Sequence, residues 1–161
     1  MKEYPALPNR HLGYLFSVGF LIYEFTTLDQ PDEIFIGLTI ALTGWGYFMF
    51  VVYQIHKGMH IYYDGNYPTS PAKAAFMHIV PLYNLFWLYK WPGQMARFVW
   101  DRDRARIFPE NTVAPLLLVG VLLSRFDYAI GYAILWTGVL LMLKGVEAFW
   151  NPLEKQYPSA P

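Results

Sequence analysis

Residues 34–56 form a run of twenty-three residues without a charged side chain. A helix needs about 20 apolar residues to cross the roughly 30 Å hydrocarbon core of a bilayer, so this run can span it with some tilt. Elsewhere, too, the apolar residues form blocks separated by the charges, instead of recurring at the period of a soluble helix or strand. With 55% hydrophobic and 15% charged residues, the chain is typical of an integral membrane protein.

Three further blocks predict membrane helices, at about residues 11–28, 108–124 and 128–150. The connection between the last two is short, so these helices are predicted to pair as an antiparallel hairpin. Pro152 is expected to stop the final helix and to leave an irregular tail at residues 151–161. The prediction is therefore a single membrane domain, residues 1–161, in an all-α integral membrane protein with four transmembrane helices.

The sidedness of the chain depends on residues 74–89, an uncharged run that is followed directly by a basic stretch. If this run crossed the bilayer, the arginines behind it would lie on the opposite side from Lys57 and Lys73. If it enters and returns on the same side, nearly every basic residue collects on one face, opposite the acidic connection at residues 29–33. Cytoplasmic loops are enriched in Lys and Arg, so the second arrangement is favoured, with both termini in the cytoplasm.

Prolines interrupt the segment that decides this topology. Pro81 breaks residues 74–91, which are predicted to form a re-entrant or interfacial segment, and the backbone groups that it frees must be buried in protein or reach water. Asn84 is expected to be buried and to hydrogen-bond to that backbone or to a neighbouring helix. After Pro92, residues 92–106 are predicted to form a short basic helix on the cytoplasmic surface. This surface is expected to bind anionic lipid or a protein partner through Arg97, Arg102, Arg104 and Arg106.

The order of motifs around this segment carries a family resemblance. An aromatic and basic stretch at the end of the second helix is followed by Ser70-Pro71 and then by an I-x-P-x-x-N-L motif at residues 79–85. Between about Tyr53 and Trp100, this order resembles a family of small bacterial multi-span membrane proteins of unknown function. The resemblance implies a multi-pass protein of the bacterial inner membrane without an assigned chemistry.

Histidines are the candidate metal ligands. His56 and His60 are spaced i, i+4, which places them on one helical face if the second helix continues past residue 56. Two imidazoles at this spacing can chelate zinc or copper, and His78 would add a third ligand. Histidines from different helices can also ligate a haem. Because no acidic or thiolate ligand reinforces the spacing, no cofactor is predicted, and haem or a transition metal stays as an alternative.

Glu24 is an acidic residue within the first apolar block. It shares a helical face with Gly13 and Ser17, which are small enough to let another helix approach closely. The carboxylate is therefore expected to point into the bundle and to pair with Arg125, the one basic residue predicted on the outer side. A structural ion pair is favoured over proton or cation passage, because one acid without further polar groups makes no pathway.

The function classes are narrowed mainly by what the sequence lacks. It has no G-x-S-x-G, H-E-x-x-H or Walker A motif and no cysteine, and its net charge of zero gives no bulk attraction to nucleic acid. The favoured function is a non-enzymatic accessory or assembly subunit of a larger membrane complex, or a homo-oligomer. The partners would be the bilayer and other membrane subunits. The alternatives are a small channel or carrier lined by Glu24, His78 and Asn84, and a haem- or metal-binding redox subunit.

Overall fold

The computed structural model of the chain describes residues 7–9, 11–26, 34–80 and 82–156, and these residues form six helices and no strand. The predicted all-α class is therefore confirmed for this part of the chain. In chain order the helices are α1 (Leu12–Thr26), α2 (Ile34–Tyr62), α3 (Pro71–Phe76), α4 (Tyr83–Asp103), α5 (Glu110–Leu123) and α6 (Tyr128–Gln156).

Two of the described helices, rather than the predicted four, are long and apolar enough to cross a membrane. These are the stretches Phe35–Tyr62 of α2 and Tyr128–Trp150 of α6, judged by length and composition. The other two apolar helices, α1 and α5, have 15 and 14 residues and fall short of the about 20 that a span requires. α5 begins later than predicted because Pro109 occupies its N-cap position, with a backbone outside the helical region.

The last two helices, α5 and α6, form the predicted hairpin. Ser124 closes α5, and Asp127 then accepts a hydrogen bond from the backbone N–H of Ile130 at 2.9 Å, which satisfies a free donor in the first turn of α6. Gly120 lets the two helices approach so closely that a Cβ atom there would lie 2.5 Å from the backbone nitrogen of Leu135. The pairing of α5 and α6 is the most extensive helix contact in the described part of the fold.

α1 and α2 pack on the same hairpin through small residues and long aromatic side chains. A Cβ atom at Gly13 would fall 2.1 Å from the ring of Trp136, and Ser17 is buried on the same face of α1. The prediction that these two residues admit another helix is confirmed. The hydroxyl of Tyr132 donates to the carbonyl oxygen of Ala41 at 3.0 Å, which joins α6 to α2. The core is thus built around α6.

α2 and α4 both continue where the sequence predicted an end. α2 runs past residue 56 to Tyr62, which keeps His56 and His60 on one helix. α4 passes through Pro92 without a break, so the predicted separate surface helix at residues 92–106 is wrong. A proline removes one helical hydrogen bond, but the turns on both sides of it are held in the core by Trp87, Leu88, Trp91, Met95, Ala96 and Val99.

The ends of α4 and α6 also differ from the prediction. α4 ends at Asp103 because Arg104 adopts a left-handed backbone conformation with φ of 56°. The backbone of α6 stays helical to Gln156, so the irregular tail does not begin at residue 151. Pro152 costs that helix one hydrogen bond but leaves the following residues free to continue it. Residues 157–161 lie outside the described part of the chain.

Much of the apolar surface of the bundle is uncovered. Large apolar side chains are exposed along α1, along the first half of α2, at the junction of α5 and α6, and around the turn between α3 and α4. The most exposed of them are Leu15, Phe25, Phe35, Leu42, Phe76, Leu82 and Phe126. Contiguous patches of this kind mark surfaces that face lipid or another protein.

Candidate functional site

The turn between α3 and α4, residues 77–82, is called the elbow below. Ser70 begins α3 by accepting a hydrogen bond from the backbone N–H of Lys73 at 3.3 Å, with Pro71 in the first helical position. α3 ends after six residues, and Leu82, with φ of 62°, precedes α4. Pro81, which was predicted to cause the break, lies outside the described residues. The break itself is present where the sequence placed it.

His78 anchors the elbow to the middle of α2. Its side chain is 2% exposed, and its ring lies edge-on to Phe48, with 4.9 Å between the ring centroids, and to Trp45 at 6.2 Å. Phe48 in turn meets the ring of Trp136 at 6.2 Å. The elbow therefore reaches the level at which α2 contacts the central part of α6.

Asn84 closes the elbow through His78. Nδ1 of His78 lies 2.9 Å from Oδ1 of Asn84, and because an amide oxygen only accepts, the imidazole donates this hydrogen bond. The backbone N–H of Asn84 also donates to the carbonyl oxygen of Val80 at 2.9 Å. Asn84 was predicted to be buried and to hydrogen-bond to the backbone or to a neighbouring helix. It is instead half-buried, and the partner of its side chain is the imidazole of His78.

A groove of about 330 Å³, called the α2–α4 groove, lies between the last turns of α2, the loop that follows it, and α4. One wall carries His56 from α2 with Tyr67 and Thr69 from the loop. The other wall is a row of α4 side chains at helical spacing: Trp87, Trp91, Gln94, Phe98 and Asp101, with Arg97 beside them. Since these positions recur every three or four residues, they share one face of the helix.

Unpaired nitrogen atoms are concentrated in the walls of this groove. His56 is 1% exposed, and neither of its ring nitrogens makes a hydrogen bond. The backbone of Thr69 is a polar neighbour of the ring, but no contact between them has the distance and angle of a hydrogen bond. The indole N–H groups of Trp87 and Trp91 are likewise buried without a partner. Buried polar groups of native proteins are nearly always paired, and further unpaired atoms of this kind lie elsewhere in the described bundle, for example in Trp136.

The three candidate metal ligands lie near one another but do not form a metal site. Among the described residues, no group of three His, Asp or Glu side chains is placed to hold a metal ion. The indole ring of Trp91 packs against both His56 and His78, at centroid distances of 5.2 and 6.3 Å. Both imidazoles therefore pack against the same indole ring.

The basic cluster is exposed, as its predicted role requires, but its arginines have different surroundings. The guanidinium group of Arg102 lies 5.4 Å from the ring centre of Phe98, and that of Arg106 lies 5.7 Å from that of Trp100. Arg97 lines the α2–α4 groove and also a second groove of about 380 Å³ between α4 and α5. All four arginines of the cluster are exposed: Arg97, Arg102, Arg104 and Arg106.

The predicted ion pair between Glu24 and Arg125 does not form. Glu24 is half-buried at the end of α1, Arg125 is exposed in the turn between α5 and α6, and no salt bridge joins them in the described part of the chain. An arginine at an exposed turn keeps its hydration and gains little from a surface pair.

Sequence reasoning did not single out the two tryptophans of the groove as site residues. A signal was available in the spacing of residues 87, 91, 94, 98 and 101, which predicts a single face if the helix is read through Pro92. A loop residue such as Tyr67 gives no comparable signal, since its place beside α2 is set by the fold.

The chain was also compared with families and structures that are already known. No family model, no characterised protein and no solved structure matches it. The resemblance through residues 79–85 therefore stays a prediction, and the site rests on its own geometry.

Proposed function

We propose that the chain is an integral membrane protein that crosses the bilayer four times, with α3 and α4 entering from the cytoplasmic side as a re-entrant pair. Its role is that of a non-catalytic accessory or assembly subunit of a larger membrane complex. The bacterial inner membrane is the proposed location, with both termini in the cytoplasm, as the distribution of Lys and Arg favours.

The contact of the elbow with the middle of α2 is the observation that supports the re-entrant topology. His78 packs on Trp45 and Phe48, which lie eleven and fourteen residues into α2 and so about 17 to 21 Å along its axis. The hydrocarbon core is roughly 30 Å thick, so the elbow would reach its middle. The exposed side chains around the elbow are apolar, including Phe76 and Leu82. A turn held at this depth by protein contacts is the kind of irregular backbone that a bilayer tolerates.

The exposure of α2 supports a lipid environment. Only 22% of its most apolar stretch is buried, whereas a core helix of a soluble protein is mostly buried. α1 and α5 are about 22 and 21 Å long at 1.5 Å per residue, so they need flanking residues to complete a span. Phe126, which follows α5, is strongly exposed and suits such an extension.

The accessory role is supported by an apolar face on α2 that the described part of the bundle does not cover. Gly46 has open space beside its Cα atom, with no atom within 4 Å of where a Cβ would lie, and the exposed side chains Leu42 and Phe50 stand on either side of it. The hydroxyls of Thr39 and Thr43 turn back to the helix backbone, each in a 2.7 Å hydrogen bond, and so they leave this face apolar. Small residues at helical spacing let a second membrane helix approach closely.

Purification in a mild detergent tests this function. The full chain is expected to elute in an assembly larger than one copy with its detergent, either with other membrane proteins or with itself. Gly46→Phe should reduce this assembly, because the new ring occupies the open face. Leu122→Phe, at an exposed position of α5, is the matched control and should leave the assembly unchanged. A wild-type chain that is always monomeric, with Gly46→Phe without effect, would contradict the accessory role.

A small channel or carrier is the second candidate, favoured by the polar His78–Asn84 pair at the depth of the elbow. Polar groups within a membrane protein often line a path for ions or substrates. The same preparation, reconstituted into proteoliposomes, separates the two candidates, because only a channel or carrier gives a flux that Asn84→Leu abolishes.

A further inference from the structure

We propose that the α2–α4 groove binds the headgroup of one anionic phospholipid, with the phosphate beside Arg97 and the chains directed toward the elbow. The inference rests on the membrane location proposed above and adds a specific ligand to it. It starts from three features of the groove: its direction along α4, its hydrogen-bond donors and its size.

The groove follows a gradient of polarity along α4. Near its first turns the lining residue is Trp87, flanked by the exposed aromatic side chains Tyr83 and Phe86, and the amine of Lys90 lies over the Phe86 ring at 4.9 Å. At its other end the exposed lining side chains are Gln94, Arg97 and Asp101. From residue 87 to residue 101 the helix rises about 21 Å. This is about half the thickness of a bilayer, from its middle to the edge of its headgroups. A molecule that lies along this groove must itself be apolar at one end and polar at the other.

The donors in the groove require a ligand that brings acceptor oxygens. An indole N–H can only donate a hydrogen bond, and so can the guanidinium group of Arg97. Trp87 and Trp91 bury their indole N–H groups in the groove wall without a partner, and acceptor oxygens are what such groups bind. His56, in the opposite wall, is likewise buried. A phospholipid brings two sets of acceptor oxygens: the phosphate oxygens, whose charge Arg97 complements, and the ester carbonyl oxygens, which would lie nearer the elbow, toward the two tryptophans.

The acidic side chain that lines the groove selects against a phosphomonoester. Asp101 lies at the polar end, one helical turn from Arg97. It would repel a doubly charged phosphomonoester, but it can accept a hydrogen bond from the hydroxyl groups of a headgroup such as glycerol. A groove of about 330 Å³ is at the small end of ligand sites, which fits a headgroup but not a whole lipid. The anionic phospholipid with a glycerol headgroup is therefore the expected ligand.

Native mass spectrometry of the detergent-solubilised full chain tests the proposal. The probes are dioleoyl phosphatidylglycerol and dioleoyl phosphatidylcholine, titrated separately. One phosphatidylglycerol molecule should bind in preference to phosphatidylcholine. Arg97→Gln should raise its dissociation constant about tenfold, because a charge-assisted hydrogen bond is lost. Trp87→Phe, which keeps an aromatic ring and removes the N–H group, should weaken binding about threefold to tenfold.

Lys144→Gln is the control, because it also removes one positive charge, and this lysine is exposed on α6 and lines neither groove. It should leave the affinity for phosphatidylglycerol unchanged. The proposal is overturned if Lys144→Gln weakens binding as much as Arg97→Gln, since bulk charge would then explain it. It is also overturned if phosphatidylcholine binds equally well, or if glycerol 1-phosphate competes at the same concentration as the lipid, since the ligand would then be a soluble phosphate ester.

Failure of the lipid site can be told apart from failure of the membrane location. Carbonate extraction of membranes that contain the wild-type chain should leave it in the membrane fraction. If it stays there but shows no preference for phosphatidylglycerol, only the groove assignment fails. If carbonate releases it, the membrane location fails and the lipid site fails with it.

Discussion

The hydrogen bond between His78 and Asn84 gives the sharpest test of how the elbow is held. Asn84→Leu removes the acceptor and strands the Nδ1–H group of an imidazole that is 2% exposed. Leaving a buried donor without a partner costs about 1–3 kcal/mol. His78→Phe in the wild-type background strands the amide oxygen instead, and it should cost less because Asn84 is only half-buried and water reaches it.

The double variant His78→Phe/Asn84→Leu completes a thermodynamic cycle. Replacing both partners by apolar groups of similar size can be nearly neutral, because no polar group is left stranded. It also removes Nε2 of His78, a buried nitrogen that has no partner. We therefore expect the double variant to be more stable than Asn84→Leu, with a coupling energy of about 1–2 kcal/mol, within the range for residues in contact.

The measurement is reversible unfolding of the four proteins in mixed micelles of a mild and a denaturing detergent, followed by far-UV circular dichroism. The changes in the free energy of unfolding that the two single variants cause should not sum to the change that the double variant causes. Strictly additive effects would show that the two side chains do not interact, and the contact that closes the elbow would have to be abandoned.

Three further predictions concern other parts of the fold. Gly120→Ala should destabilise the chain by about 2 kcal/mol, since a methyl group there meets the backbone of α6. Gly93→Ala places its methyl group in open space and should stabilise the chain by roughly 0.5–1 kcal/mol. Equal thermal stabilities of the two variants would argue against the close approach of α5 and α6. A cysteine introduced at Arg104 should react with an impermeant maleimide only from the cytoplasmic side and one at Phe126 only from outside, and the reverse pattern would exclude the four-span topology. Tyr63→Phe should lower the free energy of unfolding by about 1 kcal/mol, because the hydroxyl of Tyr63 donates a hydrogen bond to the carboxylate of Asp103 at the end of α4. An unchanged stability would show that this contact does not join the end of α2 to α4.

Local features were predictable where a short stretch of chain determines them. The α5–α6 hairpin follows from the brief connection of residues 124–127, and a break before α4 was predicted where α3 and α4 are indeed separate helices. The buried face of α1 was also accessible, because Gly13 and Ser17 recur at helical spacing and small residues mark a close approach.

The continuation of α4 through Pro92 could not be predicted from the local sequence. Its local effect on a helix is unfavourable, so the sequence predicted a break there. α4 continues because aromatic and aliphatic side chains on both sides of the proline are buried against the other helices, and that gain is absent from any local propensity. The basic surface helix was lost as a separate element for the same reason: its apolar face packs in the core rather than on lipid.

Composition and the order of charges determined what the sequence alone could say: an all-helical chain with long apolar helices and an excess of basic residues on one proposed side. These properties depend on transfer free energies that each segment carries by itself. The groove of His56, Trp87 and Trp91 was decided only by tertiary structure, because it joins side chains from α2 and α4 that are about thirty residues apart in the chain. Whether a histidine meets a metal, an amide or an unpaired indole depends on which helices pack together, and spacing within one helix does not contain that information.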